Sequence, residues 1–199
     1  MTRIIGGRVG GRRIVTPRGA NTRPTSDRVR EALFSAIESW CGSLSGLRFL
    51  DLYAGSGAVG LEAWSRGAGV VTLVEQDRRT ASMISANARG LGFNRADVVA
   101  GPVSGMLARS PSAPYDVAFL DPPYAHPATD VVADLAAMRD QQWLVPGAMV
   151  VVERGSRGAE PAWPEGFSAS REKKYGETVL WYLRRGSDTF GDGGPPAVT

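Results

Sequence analysis

Apolar positions along the chain fall into two kinds of block, short continuous runs and longer stretches with helical spacing. Val29, Leu33, Ile37 and Trp40 recur at helical intervals after the N-cap candidates Thr25 and Ser26, which predicts an amphipathic helix ended by Gly42 and the 43–46 stretch. Apolar runs follow at 48–54, 70–74, 97–100, 115–120 and 148–152. Such runs, without alternation, suit strands covered on both faces, as in a parallel sheet. A helical segment at 61–66 and another at 130–139, with Val131, Leu135 and Met138 on one face, lie between them. Residues 155–166 read as a loop, and 178–183, where Val179, Trp181 and Leu183 alternate, as a last strand. Ahead of all this, Ile4-Ile5 and Ile14-Val15 with the glycine pairs 6–7 and 10–11 predict a small β-hairpin. The pattern divides the chain into an N-terminal extension (1–25), a main α/β domain (26–185) and a Gly/Pro-rich tail (186–199) expected to be disordered.

The run at 115–120 ends abruptly in Asp121-Pro122-Pro123-Tyr124. The prolines stop ladder bonding, so any chemistry belongs at this strand's C-terminal end. The four residues suit a clamp for an amino group on a nucleobase, whose lone pair is delocalised into the ring. A carboxylate and a proline carbonyl that each accept one N–H draw that nitrogen toward tetrahedral geometry. Tyr124 offers a flat face for a flipped-out base.

The run at 48–54 leads into Gly55-Ser56-Gly57-Ala58-Val59-Gly60 and then the 61–66 helix, a strand, glycine loop and helix in sequence. Glycines there permit a sharp turn and close approach of a ligand at a helix N-terminus. The 70–74 run ends in Glu75, which can accept both hydroxyls of an adenosine ribose. The glycine pattern alone fits nicotinamide dinucleotides equally well. Asp51 favours S-adenosylmethionine, because it can meet the ammonium of a methionine moiety and would repel a pyrophosphate. The Asp121 clamp, which hydride transfer does not need, points the same way.

Composition narrows the setting. A hydrophobic content of 43% with 22% charged residues is that of a globular protein, and no secretory or membrane-spanning run is visible, so a cytoplasmic location is expected. A single cysteine, Cys41, rules out an internal disulfide, and a single histidine, His126, leaves no cluster for a metal. Residues 1–30 hold eight arginines against one acid, whereas the rest of the chain has 15 basic and 19 acidic side chains. Arginine forks onto phosphates and stacks on bases, so the N-terminal extension is expected to bind a nucleic acid.

Leu50-Asp51-Leu52-Tyr53-Ala54-Gly55-Ser56-Gly57 together with Asp121-Pro122-Pro123-Tyr124 resembles the class I amino-methyltransferases. The run Arg23-Pro24-Thr25-Ser26-Asp27-Arg28-Val29-Arg30-Glu31-Ala32-Leu33-Phe34 and the Lys173-Lys174-Tyr175-Gly176 stretch narrow this. The chain resembles the bacterial 16S rRNA (guanine(966)-N(2))-methyltransferase family from about Arg3 to Arg185. The resemblance implies a doubly wound, mostly parallel Rossmann-like sheet. It also implies S-adenosylmethionine as methyl donor, S-adenosylhomocysteine as product, no metal, and methylation of a guanine N2 amine. The RNA would be 16S rRNA, free or in a small-subunit assembly particle, and the enzyme a monomer.

Residue by residue, Asp121, Pro122 and Tyr124 would be catalytic. Asp51, Tyr53, Ala54, Gly55, Gly57, Glu75, Gln76 and Val103 would hold the donor. Arg8, Arg12, Arg13, Arg23, Thr25, Arg30, Pro123, Lys174 and Tyr175 would meet the RNA. Two positions depart from the family pattern. Ser35 stands where Asn is usual, and Gly101-Pro102-Val103 replaces a polar residue near the adenine, leaving that contact to backbone such as the Val103 N–H.

Two other readings stay open. A DNA adenine-N6 methyltransferase also uses Asp-Pro-Pro-Tyr, although this chain has no room for a sizeable target-recognition domain. A non-catalytic RNA-binding module on the same fold would have no need of the Asp51, Glu75 and Asp121 set. Cytosine-C5 chemistry needs a cysteine nucleophile, and Cys41 lies beyond the first helix.

Overall fold

The computed structural model describes residues 2–17, 26–123, 125–158 and 160–187. Tyr124, Arg23, Thr25 and the tail from 188 onward therefore lie outside the described residues. Along the chain run β1 (Thr2–Arg3), a short 3-10 turn (Gly7–Val9), β2 (Arg13–Ile14), α1 (Asp27–Cys41), β3 (Arg48–Leu52), α2 (Ala58–Ser65), β4 (Val70–Glu75) and α3 (Arg78–Leu91). They are followed by β5 (Asp97–Ala100), α4 (Val103–Leu107), β6 (Tyr115–Leu120), α5 (Ala128–Asp140), β7 (Leu144–Gly155), β8 (Phe167–Tyr175) and β9 (Thr178–Arg185).

Seven strands form one sheet in the order β5-β4-β3-β6-β7-β9-β8. The first five of that order are parallel, with Leu52 level with Val74 on one side and Leu120 on the other. Strand β9 runs antiparallel between β7 and β8. The order reverses between β3 and β6, and beyond the C-terminal ends at such a switch point lies the crevice where α/β sheets bind ligands.

Because successive side chains on a strand face opposite ways, the continuous apolar runs feed two cores at once. Phe49, Leu73, Val117, Phe119 and Val151 belong to one face, packed by Leu33, Phe34 and Ile37 of α1 and by α2 and α3. Leu50, Leu52, Ala118, Leu120 and Val152 belong to the other, packed by Val103 and Leu107 of α4 and by Val131, Leu135 and Met138 of α5. This is the α/β architecture expected from the apolar runs. Ser26 is the N-cap of α1, accepting from the Val29 N–H at 3.3 Å.

The N-terminal hairpin is present, with Thr2 opposite Ile14, and it is docked firmly on the main domain. Ile4 and Ile14 are buried in the first core. The carboxylate of Glu62, fully buried on α2, accepts the Ile5 N–H at 2.6 Å and the Gly6 N–H at 2.8 Å, and Arg66 closes on the same oxygen at 2.8 Å. Asn87 of α3 bonds Val15 twice, donating to its carbonyl and accepting from its N–H, both at 2.9 Å.

Three elements go beyond the sequence expectations. Helix α3 is capped by Asp77, which accepts the Thr80 N–H at 2.8 Å, and ends at left-handed Gly92, while Ala81, Ile84, Ala88 and Leu91 face the core. Helix α4 is only five residues long. Strand β8 lies at the sheet edge, exposed from Ser168 to Lys174, so no apolar run marks it.

Candidate active site

The C-terminal ends of β3, β4, β6 and β7 open onto a cavity of ≈ 1150 Å³. One side is built by the loop after β3. Its Gly55 has φ +55°, and a Cβ placed there would meet no atom closer than 4.0 Å, so the backbone faces open space. Gly57, at φ +78°, is different: its Cβ would lie 2.9 Å from Ile84 Cγ2, so this glycine serves packing against α3. Glu75, at the end of β4, accepts the Gly55 N–H on Oε2 at 3.0 Å and the Asp77 N–H on Oε1 at 2.8 Å. A carboxylate has about four lone-pair sites, so each oxygen can still accept a hydroxyl.

Asp51 sits beneath this side. It is 1% exposed, and its Oδ2 accepts the Gly60 N–H in the first turn of α2 at 2.8 Å. Burial pushes its carboxyl up to about 7, with the charge of Glu75 adding and the Gly60 bond opposing. Asp51 thus ties the end of β3 to the first turn of α2 through one carboxylate oxygen. Tyr53 is a wall residue. Its φ of +63° is a strained conformation for a bulky residue, and it is held by the ring hydroxyl, which donates to Asp134 and lies 3.2 Å from His126 Nε2.

The other side is carboxylate-rich. Asp121, Pro122 and Pro123 line the cavity just past β6, and Glu153 lines it from the neighbouring strand β7. The Asp121 carboxyl is raised well above the ordinary carboxylate range, first by burial, then by the charges of Glu153 and Asp51, with Arg154 opposing. Arg154 also donates to the His126 carbonyl at 2.9 Å, and the His126 N–H donates to the Pro123 carbonyl at 2.8 Å. These bonds tie the Pro-Pro segment to the end of β7.

Of the residues picked from sequence, Tyr53, Gly55, Glu75, Gln76, Val103, Asp121, Pro122, Pro123 and Lys174 share this one cavity. Ala54 is tied to β4 through its N–H and the Val74 carbonyl at 2.8 Å, and Tyr175 packs partly buried against the first core. Arg8, Arg12 and Arg13 are exposed on the hairpin. Arg8 donates to the Trp64 carbonyl at 3.0 Å and Arg12 to the Gly90 carbonyl at 2.9 Å. Arg30, expected to touch RNA, is instead fully buried, bonding Asp27, the Arg3 carbonyl and Thr2 Oγ1 at 2.8, 2.7 and 3.0 Å. A guanidinium so enclosed orders the hairpin and cannot meet a phosphate. Glu153, Arg154 and Trp181 are cavity residues that sequence reasoning passed over. For Glu153 the signal was available: like Glu75 and Asp121, it is a carboxylate at the end of an apolar run.

The family model "Conserved hypothetical protein 95" matches residues 2–184. Ribosomal RNA small subunit methyltransferase D of Escherichia coli K12 is 36% identical over 184 residues, 92% of this chain and 89% of that protein. The protein of the same name from Haemophilus influenzae is 32% identical over 177 residues, 87% of this chain and 89% of that one. Among solved structures, Escherichia coli yhhF matches with a TM-score of 0.82 and 33% identity, covering 92% of this chain and 97% of that one. TrmN of Thermus thermophilus, at TM-score 0.63 and 20% identity over 79% of this chain and 48% of its own, shares the fold.

Proposed function

This chain belongs to the family of ribosomal RNA small subunit methyltransferase D, and on that premise we propose that it transfers a methyl group from S-adenosylmethionine to the exocyclic N2 amine of a guanine in 16S rRNA. The observation that carries the reading is that Glu75 at the end of β4 and Gly55 after β3 line one cavity with Asp121 and Pro122 past the end of β6. A donor pocket and an amine clamp are thereby within reach of one another.

The residues present fit such a donor. Gly55 leaves open space at the wall, and Glu75 retains acceptor capacity for two ribose hydroxyls. When bound, S-adenosylmethionine supplies an electrophilic methyl group. In the transfer the guanine N2–CH3 bond would form as the donor's S–CH3 bond breaks, S-adenosylhomocysteine would leave with the electron pair on sulfur, and the amine would then lose one proton. Asp121 and the Pro122 carbonyl accept the two N–H bonds and localise the lone pair on nitrogen. The departing proton can leave to solvent after transfer, so Asp121 need only accept the N–H bond and not act as a base. Holding the amine in line is itself worth several kcal/mol of barrier.

The exposed Arg8, Arg12 and Arg13 would meet phosphate outside the cavity, and Lys174 would meet it at the rim. Among the described residues no helix is long and apolar enough to cross a membrane. A cytoplasmic monomer acting on small-subunit rRNA, free or partly assembled, completes the proposal. Mass spectrometry of rRNA nucleosides from cells with and without the gene tests it. Loss of one N2-methylguanosine from 16S rRNA is expected, and unchanged 16S rRNA would contradict it.

A further inference from the structure

Strands β6 and β7 run parallel and in register, Phe119 beside Val151 and Leu120 beside Val152. The next residue on each is an acid, Asp121 and Glu153, and both line the cavity. Glu153 is 8% exposed, and after burial its charge is the largest influence on Asp121. Two carboxylates side by side repel each other when both are ionised, and groups perturbed in this way cluster at binding and catalytic sites. Arg154, the following residue, offsets part of the charge.

Guanine presents two neighbouring N–H donors, N1–H and the N2 amine, on its Watson–Crick edge. Adenine and cytosine present one amine beside a ring nitrogen that is an acceptor. N–H bonds donated to a carboxylate favour its ionised form, so two adjacent carboxylates facing guanine can both ionise and match the first pattern, whereas an acceptor facing an ionised carboxylate leaves both without a proton to share. We propose that Glu153 is the specificity-determining residue of this site, accepting guanine N1–H while Asp121 accepts the N2 amine. This rests on the guanine N2 reading of the reaction and adds which groups of the base are recognised. It also separates the site from an adenine-N6 site built on the same Asp-Pro-Pro-Tyr run: the clamp holds any aryl amine, and the neighbouring strand end decides which ring carries it.

The test uses 2-aminopurine, which keeps the amine but has an acceptor at N1. The wild-type product is first mapped on a 16S rRNA transcript, and 2-aminopurine is then placed at that position. The wild-type enzyme should favour guanine over 2-aminopurine by at least about a hundredfold in kcat/KM, since sites that hydrogen-bond a substrate N–H reject analogues lacking it by about 10⁴–10⁵. Glu153→Gln can turn its amide to donate to N1, so the preference should shrink at least about tenfold, with 2-aminopurine improving in absolute rate. Adenosylhomocysteine affinity should be unchanged. If wild-type enzyme methylates both bases equally, or if E153Q leaves the ratio as it was, Glu153 does not read N1. Absence of any N2-methylguanosine with wild-type enzyme would instead overturn the guanine reading itself, and this inference with it.

Discussion

The Gly55 amide donates to Glu75 Oε2 at 3.0 Å, so the turn after β3 and the end of β4 are one unit of the donor side of the cavity. The same carboxylate holds the Asp77 N–H that opens α3. Ligand hydroxyls would add to a charged acceptor whose position is already fixed.

Glu75→Ala should therefore weaken adenosylhomocysteine binding by about 1.5–3 kcal/mol, the scale of hydrogen bonds to a charged group. Glu75→Gln keeps one oxygen and should lose less. Calorimetry reads both, and equal affinities across the three proteins would place the ribose elsewhere.

Asp51 carries a pH signature. Its carboxyl is raised to about 7, so between its ordinary value and about 7 the folded state binds more protons than the unfolded state. Stability contributed by this group therefore falls as pH rises through that window. Asp51→Asn keeps an oxygen for the Gly60 N–H and removes the buried charge. Its Tm relative to wild type should rise between about pH 5 and about pH 8. A difference independent of pH would show that Asp51 is not charged at the expense of folding.

Glu62 anchors the hairpin through the Ile5 and Gly6 amides and pairs with Arg66. Removing one partner of such a buried set costs about 3–5 kcal/mol. Glu62→Ala should lose stability on that scale in denaturant melts and expose the hairpin to proteolysis first. A change below about 1 kcal/mol would mean that the hairpin is held by its apolar contacts alone.

Replacing Arg8, Arg12 and Arg13 together by Ala removes three exposed cations while keeping Ile4 and Ile14 in the core. RNA affinity should fall, and the slope of log K against log salt should shrink by about 2–3. Arg30→Met, by contrast, should lower Tm and leave the slope unchanged, because that guanidinium is enclosed. An unaltered slope in the triple variant would remove these arginines from the RNA footprint.

Much of this site is legible in the sequence because its acids stand at the ends of apolar runs, where a parallel sheet must bring them together. Glu75 and Asp121 were found that way, and Glu153 carries the same mark after Val150-Val151-Val152. What escapes is decided by tertiary contact. Counting charge cannot tell Arg30, buried against Asp27, from Arg13, exposed on the hairpin. Strand β8 is polar because its edge is exposed, and it is a strand only because β9 pairs with it. Asp51 also bonds the Gly60 N–H, a contact across nine residues that spacing alone does not reveal.

The most direct measurement is single-turnover methylation of 16S rRNA by Asp121→Ala, beside its affinity for adenosylhomocysteine. In the proposed clamp Asp121 accepts the amine N–H, whereas Gly55 and Glu75 are untouched by the change. The rate should fall at least about ten- to a hundredfold, each ~1.4 kcal/mol of lost transition-state stabilisation being a factor of ten, with affinity within about twofold of wild type. Asp121→Asn, which keeps one accepting oxygen, should retain more activity than Asp121→Ala. An Asp121→Ala enzyme that methylates rRNA at the wild-type rate would contradict the clamp and leave the end of β6 as a turn.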